Sequence, residues 1–173
     1  MVEVRLLCYK HGCTYLMTTG TPGTKNGLYW SLKIDSGDDL HLCDDVALAV
    51  TNWYDLPPPC NWWLISYFAA YERRPEKGWW RYPTEDFYAA LACRFHPDLR
   101  KAYIEAREAV RDGLVPETGA QDDILIKELI RASGKQIWNT GWDFAQHTGV
   151  SDSTFTGPHD CAYRSKYFIA ERR

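Results

Sequence analysis

The spacing of apolar positions changes along the chain. Val2 to Tyr9 and Thr14 to Thr18 are dense in β-forming residues, with a polar break at Lys10-His11-Gly12 that suits a hairpin. Thr21 to Gly27 is a cluster of turn residues. Asn26-Gly27, ahead of Leu28-Tyr29-Trp30-Ser31-Leu32-Lys33-Ile34, predicts a further strand with period-2 alternation, ended by Asp35 to Asp39.

Beyond residue 43 the pattern turns helical. Asp44 or Asp45 can cap a helix with Val46, Ala49, Val50 and Trp53 on one face. Pro57-Pro58-Pro59 interrupts it, and a helix is expected from Asn61 to Arg73. Thr84 can cap the next, through Phe87, Tyr88, Leu91 and Ala92. Pro97 suits the first position of a helix with Leu99, Ala102, Tyr103, Ala106 and Val110 inward, closed by Gly113. Residues 120–132 predict another, with Ile124, Leu125, Leu129 and Ala132 inward and Gly134 as its stop. A short helical segment from Thr140 to His147, a polar loop, and a strand from Cys161 to Ile169 complete the chain.

These elements predict an α+β fold: a small antiparallel sheet from the N-terminal third and the C-terminal strand, with an inserted layer of about five helices. Residues 1–173 are expected to form a single domain, mainly β over 1–40 and mainly α over 43–147, with 161–169 returning to the sheet.

Composition narrows the function classes. The 173 residues are 45% hydrophobic and 25% charged, as in a globular chain. A net charge of −3 argues against a generally basic nucleic-acid binder, and so against direct DNA binding. No apolar run approaches the roughly 18 to 20 residues of a membrane span, and no signal peptide is recognisable, so a cytoplasmic protein is expected. The six dispersed cysteines then read as free thiols.

Eight tryptophans are many for this length, and two adjacent pairs occur, Trp62-Trp63 and Trp79-Trp80. A Trp-rich core is the plain explanation. The other is a partner-facing surface, because Trp, Tyr and Arg carry much of the energy at interfaces. The segment Tyr71 to Arg81 mixes Arg, Trp and loop-forming residues. Arg73, Arg74, Lys77, Trp79, Trp80 and Arg81 are its candidate partner-binding residues.

Three short segments resemble two known families. Lys10-His11-Gly12-Cys13 and Gly27-Leu28-Tyr29 resemble the His-Gly-[Ser/Thr] and Gly-x-Tyr signatures of ADP-ribosyltransferases. The resemblance implies an NAD-using enzyme in which His11 orients the nicotinamide ribose and Tyr29 stacks on the nicotinamide. Lys166 stands where that family places its catalytic Glu. Ala145 to Phe155 resembles a helix-turn-helix core, which implies a DNA-binding regulator. Gly157-Pro158 would cut its second helix short, and the segment carries no Arg or Lys for phosphates.

Two further chemistries rest on residue type. The His-x-Cys pairs His11/Cys13, His41/Cys43 and His159/Cys161 would project to one side of a strand, and two of them together could hold zinc. Chance spacing explains them as well, and no metal site is expected. Cys60, at the start of the helix expected after the prolines, could be a nucleophile activated by the helix dipole, with His159 and Asp160 as base and orienter. The plainer reading is a buried structural thiol. The aspartates from Asp35 to Asp45 read as a solvated loop, or as a negative patch for a basic partner.

The expectation is a non-enzymatic protein without cofactor or membrane attachment. It would act by binding a protein or nucleoprotein complex, in the manner of a phage- or mobile-element-encoded inhibitor such as an anti-CRISPR protein. An NAD-using transferase and a DNA-binding regulator are the alternatives.

Overall fold

The computed structural model describes residues 4–8, 14–18, 23–34, 40–42, 46–48, 57–68, 78–87, 90, 92–115, 122–140 and 145–147. Strands β1 (Val4–Cys8) and β2 (Thr14–Thr18) form the expected hairpin, antiparallel with Leu6 opposite Leu16. They make a two-stranded sheet of their own.

Gly23–Ile34 is helix α1, where the alternation predicted a strand. Burial shows why. Tyr29 and Leu32 are buried while Ile34 is 42% exposed, so the inward positions are three apart and not two. The Asn-Gly pair lies inside the helix. Packing against a second helix outweighs the local preference of those residues for a turn.

The main sheet has five strands in the order β3-β7-β5-β8-β6. They are β3 (Leu40–Leu42), β5 (Trp62–Ser66), β6 (Trp80–Tyr82), β7 (Ala92–Phe95) and β8 (Gln136–Asn139). β5 and β8 run parallel, and every other pairing is antiparallel. A third pair, β4 (Val46–Leu48) with β9 (Ala145–His147), is antiparallel.

β5 replaces the front of the helix expected from Asn61. Its Leu64, Ile65 and Ser66 are buried in succession between two neighbouring strands. A strand covered on both faces loses its alternation and reads as a continuous apolar run, which a short helix can mimic. Asn61 takes the turn before it with φ 64°.

Helices α2 (Pro97–Arg111) and α3 (Asp122–Ser133) stand where they were expected. His96 caps α2, its Nδ1 accepting from the Asp98 amide at 3.2 Å, and Pro97 opens it. Gly113 and Gly134 follow the two helices at φ +73° and +67°, a region glycine enters without steric cost. In α3 Ile126 and Ile130 are buried, and Leu125 and Leu129, expected inward, are partly buried against the core. Ile124, expected inward, is 39% exposed, and Ala132 is exposed.

One row of residues crosses the sheet through Phe95, Leu64, Ile137 and Tyr82. All four belong to a single core cluster with Tyr29 and Leu32 of α1, Leu99 and Tyr103 of α2, and Ile126 and Ile130 of α3. The three helices therefore cover this face. Each fully buried aliphatic chain there contributes roughly 1.5–3 kcal/mol. The adjacent row, Arg94, Ile65, Trp138 and Arg81, projects to the opposite face.

The α+β expectation of an antiparallel sheet from the chain ends and about five helices is thus corrected. The sheet is mixed, its strands come from residues 40–139, and three α-helices occur among the described residues. Val46–Leu48 is a strand inside the expected helix from Asp44 or Asp45, and Ala145–His147 is a strand where a helical segment was expected. The helix expected from Thr84 is a 3-10 turn, Thr84–Asp86, followed by β7. The strand expected at 161–169 lies outside the described residues.

Candidate functional site

β6 is the last strand of the sheet order, and among the described residues it pairs with β8 alone. Gly78, at φ +103°, leads into Trp79 and Trp80. Alternation along the strand then separates its side chains. Trp80 and Tyr82 share the helix-covered face, their rings stacked with centroids 5.1 Å apart at 25°. Trp80 Nε1 donates to Asn139 Oδ1 at 3.1 Å, and Asn139 Nδ2 donates to the Ser66 carbonyl at 2.8 Å. One buried amide thus links three strands and fixes the Trp80 indole.

Arg81 points to the other face and is exposed. Its Nε donates to Gln136 Oε1. Directly across the ladder stands Trp138, whose buried indole N–H meets no acceptor among the described residues. Gln136 is in register with Trp62. The Arg94 guanidinium lies 5.5 Å from the Trp62 ring centre, and the His96 ring meets Trp62 edge-on at 5.0 Å. Lys135, just past α3, donates Nζ to Asn61 Oδ1 at 3.2 Å. Arg81 and Lys135 line one open depression of about 280 Å³, with Tyr82, Pro83, Gln136 and Ile137 among its walls.

Of the expected partner-binding residues, Trp79, Trp80 and Arg81 stand at this edge, and Arg73, Arg74 and Lys77 lie outside the described residues. Trp62, Trp63, Trp79 and Trp80 are all half-buried. Lys135 and Gln136 were not legible as part of the site. Their only sequence signal is Gly134, which ends a helix, and nothing local to it points to Arg81.

The other candidates fall only partly within the described residues. Tyr29, which the transferase resemblance places against a nicotinamide, sits within α1 with 5% of its surface exposed. Its hydroxyl donates to Glu108 Oε1 at 2.9 Å and accepts from Lys33 Nζ at 2.9 Å and Arg111 Nη1 at 3.3 Å. Lys33 Nζ reaches Glu108 Oε1 at 2.6 Å. The Lys33 ammonium, then the Tyr29 hydroxyl, hold the Glu108 carboxyl below its ordinary range. This is a polar clamp between α1 and α2. His11, His159 and Asp160 lie outside the described residues.

The helix-turn-helix reading loses its first helix, because Ala145–His147 pairs as β9 with β4. The rest of that segment lies outside the described residues, as do Cys13, Cys43, Cys161 and Asp35 to Asp39. His41 is buried, its Nδ1 2.6 Å from Ser31 Oγ and its ring edge-on to Phe95 at 5.4 Å. Among the described residues no three His, Cys, Asp or Glu side chains gather as a metal site, and no helix is long and apolar enough to cross a membrane. Cys60 is exposed and precedes a strand, which corrects both the buried thiol and the helix end invoked to activate it.

No protein family matches the chain, and no curated protein or solved structure matches it.

Proposed function

We propose that the protein acts by binding a macromolecular partner, a protein or nucleoprotein complex, through the β6 edge of its sheet. An inhibitor of the anti-CRISPR kind, encoded by a phage or mobile element, is the class of protein this reading fits. One observation carries it. Trp79 and Trp80 remain half-buried beside an exposed Arg81, on a strand that pairs on one side only among the described residues. Half-buried indoles next to an exposed guanidinium are the residue types that dominate binding hot spots. An open strand edge also offers backbone donors and acceptors to an incoming chain.

The test is site-specific photo-crosslinking in a cell extract of the host. A photoreactive phenylalanine replaces Trp79 in one variant and Glu105, on the exposed side of α2, in another. A stoichiometric adduct of one defined mass from position 79, and none from 105, supports the reading. No adduct at 79, or the same adducts at both positions, removes it.

A further inference from the structure

Arg81 and Lys135 share a chemical situation. Both are exposed cations, and both line the depression at the β6 edge. Each is held by a neutral amide oxygen: Arg81 Nε by Gln136 Oε1, Lys135 Nζ by Asn61 Oδ1. Neither meets a carboxylate among the described residues. Five other described cations each meet a carboxylate. Lys33 pairs with Glu108 at 2.6 Å, Arg107 with Asp122 at 2.5 Å, Arg111 with Asp112 at 3.1 Å, Lys101 with Glu105 at 3.9 Å, and Arg131 with Glu85.

The amide contacts orient the two groups without neutralising them. A guanidinium bonded only through Nε keeps both terminal nitrogens for a second acceptor, and an ammonium with one bond keeps two donors. The depression between them is rimmed by the exposed Pro83 ring, next to Tyr82 and Ile137, whose side chains turn to the helix-covered face. That combination fits a side chain with an aliphatic stem and an anionic end.

We propose that this corner is a carboxylate-recognition site, and that it receives a glutamate or aspartate of an extended acidic segment of a partner protein lying along β6. The proposal rests on the partner-binding reading and names the chemistry of the partner. Charge complementarity selects the occupant: two cations that meet no carboxylate among the described residues sit in one recess of a chain whose net charge is −3. A nucleic-acid strand is disfavoured by the same numbers, because such strands are held by a basic groove that follows many phosphates. Two cations around one recess suit a single carboxylate, with Arg81 able to grip it through two parallel N–H bonds. The segment would be extended, because a strand added at β6 sends alternate side chains to the face on which Arg81 lies.

The experiment uses the full chain and fluorescence anisotropy of labelled peptides of alternating residues. Glu-Val, Gln-Val and Lys-Val repeats are titrated with the wild type, R81Q, K135Q and the double variant. An oligothymidylate is titrated in parallel. Both substituted residues are exposed, and circular dichroism checks that each variant keeps its fold. The expected result is saturable binding of Glu-Val that weakens with added salt. The double variant loses about tenfold or more in affinity, equivalent to about 1.4 kcal/mol, and Gln-Val and Lys-Val do not bind. Equal binding of Glu-Val and Gln-Val, unchanged affinity in the double variant, or tighter binding of the oligothymidylate would each overturn the proposal.

The same variants separate this claim from the one beneath it. If the adduct formed from position 79 persists at full yield in R81Q/K135Q, partner binding stands and the carboxylate site falls. If no adduct forms in the wild type while Glu-Val binding still depends on both cations, the site stands and partner binding as proposed falls.

Discussion

The Tyr103 hydroxyl donates to Asp122 Oδ1, joining the middle of α2 to the first residue of α3 in a region almost closed to water. Arg107, one turn beyond Tyr103, completes the junction: its Nη2 reaches the same carboxylate oxygen at 2.5 Å, and its Nε donates to the Tyr103 oxygen at 3.2 Å. One carboxylate satisfies two donors from α2, and its charge sits at the positive end of the α3 dipole.

Removing the carboxylate leaves a buried guanidinium without its counter-charge. Asp122→Ala is expected to cost about 3–5 kcal/mol, and Tyr103→Phe, which deletes one donor, about 1 kcal/mol. Urea unfolding of both variants measures this. A loss below about 1 kcal/mol for Asp122→Ala would show that the junction is not a structural pair. Burial, and then the Asp122 charge, raise the Tyr103 pKa above the tyrosine range. A raised folded-state pKa gives a contribution that is complete below about pH 10, the unfolded tyrosine value, and is lost as pH climbs beyond it. Tyr103→Phe should therefore flatten the alkaline side of the stability curve.

Asn139 decides how Trp80 is presented. Its side chain accepts from Trp80 and donates to the Ser66 carbonyl while fully buried. Asn139→Ala strands both partners and should destabilise the fold by about 2 kcal/mol. Trp80→Phe removes one donor, and the loss should be smaller. Thermal unfolding ranks the two. The reverse order would mean that the amide is not the link between β6 and β5.

The Lys33–Glu108 pair sets an acid-side dependence. Glu108 titrates below the usual glutamate range of about 4.3. A lowered folded-state pKa gives a contribution present above the unfolded value and lost as pH falls through the folded one. Carbon-detected NMR of the side-chain carboxyls should place Glu108 below that range and move it upward in Lys33→Ala. An ordinary Glu108 titration in the wild type, or no response to Lys33→Ala, would contradict the clamp. The pair is partly exposed, so its effect should shrink with added salt.

The two described cysteines should differ sharply in reactivity. Cys60 is exposed and Cys93 is fully buried against the helices. Iodoacetamide added to the native protein, followed by peptide mapping, should label Cys60 quickly and leave Cys93 untouched until denaturant is added. Comparable labelling of the two under native conditions would contradict the position of β7 in the core.

The sequence by itself determined the elements whose signals are local. Pro97 and Gly113 bracket α2, Gly134 closes α3, and Lys10-His11-Gly12 separates β1 from β2. Caps, fixed proline geometry and left-handed glycine act within a turn or two, so they are readable one segment at a time. The tertiary structure decided the rest. Trp62–Ser66 becomes a strand because β7 and β8 cover it on both sides, and residues 28–34 become helical because Tyr29 and Leu32 pack together against α2. The candidate site has the same origin. Arg81 and Gln136 lie 55 residues apart, and they meet only because β6 pairs with β8. Charge and residue type are written in the chain, but a recess lined by both Arg81 and Lys135 exists only after distant strands have found their register.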